Sequence, residues 1–91
     1  MKSLPSTVAP YHRTPEYTQE TVPPGLEQRH NTKAGVWARV RVLEGRMVYR
    51  ILEPEIEEHV LEPGRDGVIE PQVHHQIEMQ EPVRFFVEFL K

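Results

Sequence analysis

Residues 36–43, VWARVRVL, alternate residue by residue, and no other stretch restricts the fold as strongly. Val36, Ala38, Val40 and Val42 fall on one face; Trp37, Arg39, Arg41 and Leu43 fall on the other. Period two over eight residues marks a half-buried β-strand and does not fit the 3.6-residue stripe of a helix. Glu44 and Gly45 then offer a tight turn, since glycine can take positive φ. RMVYRIL alternates again, so the pattern predicts a hairpin over residues 36–52.

The rest of the chain reads the same way. IEEHVLEPGRDG is a short strand ending in a Pro63-Gly64 turn, GVIEP is a strand stopped by Pro71, and HHQIEM is a further candidate. VRFFVEFL closes the chain with Val83, Phe85, Val87 and Phe89 on one face and Arg84, Phe86 and Glu88 on the other. No window of 11 or more residues carries a helical stripe. Short strands broken by Gly and Pro predict an all-β antiparallel sandwich or barrel. Five of the nine prolines (Pro5, Pro10, Pro15, Pro23, Pro24) lie in the first 24 residues. Proline fixes φ and removes a donor, which excludes a long helix or a central strand there. Residues 1–24 are expected to form an extended arm, partly docked through Val8, Tyr11 and Tyr17, on a β-domain of residues 25–91.

Ninety-one residues support one core. A formal charge of −3 argues against a nucleic-acid binder, which needs a basic face. Without cysteine there are no disulfides, thiolate metal sites or cysteine nucleophiles. The N-terminus has no apolar signal-peptide core, and no stretch approaches a membrane span. The expectation is a cytoplasmic protein. A serine triad is disfavoured because Ser3 and Ser6, the only serines, sit in the arm.

The five histidines are the groups with ordinary pKa values nearest neutrality. Within HHQIEM, His75, Ile77 and Met79 share one face, while His74, Gln76 and Glu78 share the other. If Ile77 and Met79 face the core, His75 points inward and His74 outward, so the adjacent pair does not chelate one ion. His30, just before the first strand, is the residue expected to meet His75 across the interior. Imidazole suits zinc, iron or nickel. A buried histidine standing alone more often serves as a hydrogen-bonded core residue. Glu27, Gln28 and Glu78 are the candidate third ligands. His12 and His59 are assigned to the arm and surface, and the acidic run from Glu53 to Glu62 to solvent, since it lacks calcium-loop spacing. Trp37, Arg39 and Arg41 form an outward stripe that is either an ordinary second face or a dimer interface.

RHNTKAGVWARVRVLEGRMVYR (29–50), GVIEPQVHHQIEM (67–79) and RFFVEF (84–89) together resemble the small cupin-like domain family related to tellurite-resistance protein B. Members occur alone and as an N-terminal extension of a methyltransferase, and the resemblance covers roughly residues 14–90. It implies a cupin-type double-stranded β-helix, or jelly roll. Cupins carry two motifs, and here His30 stands where the first histidine of the first motif falls. Thr32 occupies the slot of the second histidine and Ala38 lies near that of the glutamate. Pro71 and His75 match the second motif. The resemblance implies a metal on His30 and His75 and a link to tellurite or other oxyanions. The chain has no glycine-rich cofactor loop of a methyltransferase.

Three functions follow as expectations. The first is a module binding a metal ion or small ligand in a pocket lined by Val40, Tyr49 and Phe85 around the two histidines. The second is a non-catalytic homodimeric interaction domain. The third is a metal-dependent enzyme.

Overall fold

The computed structural model describes residues 1–91. It is all-β: β1 (Pro10–Arg13), β2 (Tyr17–Thr18), β3 (Trp37–Glu44), β4 (Met47–Ile51), β5 (Glu57–Leu61), β6 (Gly67–Ile69), β7 (His75–Glu78) and β8 (Arg84–Leu90). The only helical element is a 3-10 turn at Pro24–Glu27, started by the proline pair.

The strands form two antiparallel sheets. One runs in the order β1-β8-β3-β6, with β2 also on β8, and the other in the order β5-β4-β7. The proline-rich segment contributes β1 and β2, both at the sheet edge, where a missing N–H costs no ladder bond.

The expected hairpin over residues 36–52 does not form. β3 pairs with β6 and β8, whereas β4 pairs with β5 and β7. Alternation specifies which face of a strand is apolar but not which strand lies beside it. Ala38, Val40 and Val42 on β3 and Met47, Tyr49 and Ile51 on β4 are all buried. Folding β4 over β3 brings these faces together across one core instead of laying them side by side. The turn between them is confined: Gly45 has φ +78°, and a Cβ there would overlap the Pro82 carbonyl oxygen. The hairpin that does form joins β4 to β5, with Met47 opposite Leu61.

The core lies between the sheets, where Val40, Val42, Met47, Tyr49, Leu61, Ile69, Ile77, Phe85 and Val87 pack as one cluster. Phe86, on the face opposite Phe85, is also only 5% exposed because the Arg13 guanidinium from β1 covers its ring at 3.7 Å. No helix is long and apolar enough to cross a membrane.

Candidate functional site

One end of the interior is left open as a cavity of about 490 Å³. Val40 of β3, His75 and Ile77 of β7, and Phe85 and Val87 of β8 form its floor, and Tyr11 and Tyr17 from the N-terminal segment form a wall. The loop preceding β3 adds His30, Asn31, Thr32 and Lys33.

His30 and His75 meet there. Their backbones exchange two hydrogen bonds: the His30 N–H donates to the His75 carbonyl at 3.0 Å, and the His75 N–H donates to the His30 carbonyl at 2.9 Å. This bridge brings the ring centroids to 4.1 Å at 62°. His30 Nδ1 lies 2.8 Å from the Gln28 carbonyl oxygen, and His75 Nδ1 lies 3.0 Å from that of Val73. A carbonyl only accepts, so each Nδ1 carries a proton, and in the neutral imidazole the lone pair lies on Nε2.

His75 is 1% exposed. Its Nε2 has no partner within the chain, yet no fully buried side-chain nitrogen or oxygen is unpaired; the atom therefore opens onto the cavity. Burial pushes the His75 pKa down to about 4, opposed by the bond to Val73 and reinforced by His30. His75 is thus a neutral imidazole at neutral pH.

His74 does different work. It faces away from the cavity, and both its N–H and its Nδ1 lie 2.8 Å from Glu53 Oε1. Those bonds hold the Glu53 carboxyl below its usual range. Its carbonyl accepts from the Leu52 N–H at 2.9 Å, so His74 fastens the segment leaving β4.

Of the expected pocket residues, Val40 and Phe85 line the cavity and Tyr49 does not. The Tyr49 ring stands behind His75, edge-on with centroids 5.9 Å apart, because its hydroxyl reaches the other way to donate to the Val68 carbonyl at 2.9 Å. Burial raises its phenol pKa. The proposed third ligands also lie elsewhere. Glu78, one residue out of phase with Ile77, accepts from Arg50 at 3.0 Å on the outer face. Glu27 and Gln28 are exposed, and Gln28 serves His30 through its backbone carbonyl. No group of three His, Asp or Glu side chains converges anywhere in the chain.

On the outer face of β3, Arg39 donates through Nε and Nη2 to Glu88 Oε1 at 3.0 and 2.7 Å. Arg41 lies 3.5 Å from Asp66 and 3.8 Å from Glu88. The stripe is therefore paired within the chain, with Trp37 half-buried beside it. Sequence reasoning missed Lys33, Asn31 and Tyr17 as lining residues; for the first two, the polar run NTK directly after His30 was the available signal.

The TehB-like domain family matches residues 12–87. The chain belongs to this family. Over 72 residues it is 32% identical to the probable S-adenosyl-L-methionine-dependent methyltransferase TehB of Haemophilus influenzae, an alignment covering 75% of this chain and 25% of that protein. The TehB-like chain thus spans about a quarter of the methyltransferase it matches. It is 28% identical to the uncharacterized protein YeaR of Escherichia coli K12, with 98% of this chain and 82% of YeaR covered. Among solved structures, a crystal structure of an E. coli K12 protein superposes with a TM-score of 0.89 at 26% identity, over 100% of this chain and 97% of the other. The crystal structure of H. influenzae TehB superposes at 0.85 with 27% identity, over 93% of this chain and 32% of TehB.

Proposed function

We propose that this TehB-like chain is a small-ligand-binding module in which His30 and His75 seat a divalent metal at the floor of the pocket. The observation that carries the reading is the pair of Nε2 lone pairs at the cavity, each held in its tautomer by a backbone carbonyl. Neutral imidazole is the donor type for zinc, iron or nickel, so the chemistry of the pair fits such an ion. With two protein donors the remaining positions stay open to water or ligand. When bound, the ion supplies a Lewis-acid anchor for a ligand oxygen or nitrogen.

The chain's repeated passage between the two sheets supports the finer reading of the fold as a cupin-type double-stranded β-helix, with residues 1–24 as an arm and 25–91 as the barrel. The kinship with TehB supports a cytoplasmic role connected with tellurite or oxyanion stress other than methyl transfer.

Metal analysis of protein purified without a nickel column tests the metal. The expected result is close to one ion per chain, falling several-fold in His75→Ala and in His30→Ala. Far less than one ion in the wild type, unchanged by either substitution, removes the metal.

A homodimer through Trp37, Arg39 and Arg41 is the second reading, favoured by the half-exposed indole on an otherwise paired face. Light scattering should then give a dimer that Trp37→Ala converts to monomer; a wild-type monomer removes it.

A further inference from the structure

We propose that the natural occupant of the pocket is a small organic carboxylate with an apolar body, its anionic head beside Lys33 at the mouth. This rests on reading the cavity as a ligand site and adds the ligand's charge and shape. The chain carries fourteen Asp and Glu residues, and none of them lines the cavity. The one Lys or Arg that does line it is Lys33. Lys2, Arg29, Arg39, Arg41, Arg46, Arg50 and Arg84 are each within an ion pair, but Lys33 is in none. In a chain whose net charge is −3, the pocket is locally electropositive. A cationic ligand would meet an ammonium group with no carboxylate to offset it.

The walls specify the rest of the ligand. Leu26, Val36, Val40, Ile77, Phe85 and Val87 present hydrocarbon, and the volume of about 490 Å³ lies within the usual range of small-molecule pockets. An inorganic oxyanion such as tellurite has no apolar body to place against these side chains and would leave most of the lining unused. The two lining threonines do not supply donors: the Thr14 hydroxyl donates to the Pro15 carbonyl at 2.9 Å and the Thr32 hydroxyl to that of Val36 at 2.9 Å. The Nε2 atoms of His30 and His75 accept rather than donate. They therefore take the proposed metal or a hydroxyl on the same ligand and leave the anion to Lys33, the one cationic lining group, with Asn31, Tyr11, Tyr17 and His12 as neutral N–H or O–H donors beside it. His75, almost wholly buried and with its Nε2 unpaired, is the built part of the site.

Titration calorimetry with hexanoate and benzoate tests the proposal, using hexanol, benzamide, hexylamine and tellurite as comparisons, on both EDTA-stripped and zinc-loaded protein. The carboxylates should bind about tenfold or more tighter than the alcohol and the amide, the scale of one hydrogen bond to a charged group. Lys33→Gln should remove that ratio and Lys33→Arg should keep it. Lys33 is exposed, so neither substitution threatens folding. Equal binding of the neutral compounds, preference for hexylamine or tellurite, or a ratio unchanged in Lys33→Gln overturns the proposal while leaving the pocket as a ligand site. Binding by no compound overturns both. Zinc uptake measured on the same samples reports on the metal separately.

Discussion

The two ends of the interior belong to one core yet differ in kind. At the packed end, Met47, Tyr49 and Leu61 are 2%, 1% and 0% exposed. A Cβ added to Gly67 would lie 2.7 Å from Leu61 Cδ1 and 3.3 Å from the Tyr49 ring, so even a methyl group would force Leu61 to shift. At the other end the sheets leave a cavity, and the histidine that reaches it keeps an unpaired nitrogen. Close packing at one end supplies stability, which releases the other end from having to be filled.

The largest expected effect lies at the packed end. Leu61→Ala should cost about 3–4 kcal/mol in urea unfolding, the range for a fully buried leucine. Leu26→Ala, on the cavity wall, should cost under about 1 kcal/mol, since its side chain is only partly buried. Equal costs would break the contrast.

Next comes the pH dependence of the open end. The unfolded chain binds a proton at His75 near pH 6.5, whereas the folded chain holds out to about pH 4. Between those values only the unfolded state gains the proton, so stability is complete above 6.5 and falls as pH drops towards 4. The loss is on the order of 3 kcal/mol. His75→Gln should flatten this part of the profile measured by urea unfolding, and an unchanged slope would mean that His75 is solvated.

A smaller effect belongs to Tyr49→Phe. Removing the hydroxyl that donates to Val68 should cost about 1–2 kcal/mol in thermal unfolding, the scale of one lost buried bond. Zinc uptake should remain unchanged, because the ring behind His75 stays in place. A loss of zinc would join the two ends that the packing separates.

What was legible in the sequence was local. Period two located β3, β4 and β8 and placed Val40, Val42, Ile77 and His75 on the inner face, because a strand's pleat acts on neighbours in sequence. Strand partners were not legible: the turn at Gly45 directs β4 into the other sheet through its fit against Pro82, 37 residues away in the chain. The destination of Tyr49 escaped for the same reason, since Val68, not the cavity, receives its hydroxyl. Glu78 was excluded by its own phase on β7, a signal present in the sequence from the start. The burial of Phe86 was not legible either, because its cover, Arg13, comes from a segment 73 residues upstream.

The position of β8 has a consequence for biosynthesis. β1, β2 and β3 all pair with it, and Phe85 and Val87 lie on the cavity floor, yet it is the last strand in chain order. As the chain leaves the ribosome, β1 and β2 have no sheet partner and β3 has only β6 until β8 emerges. Any product cut short before Arg84 lacks both the pocket floor and the strand that unites the larger sheet. Closure of the larger sheet and completion of the pocket floor thus await the same strand.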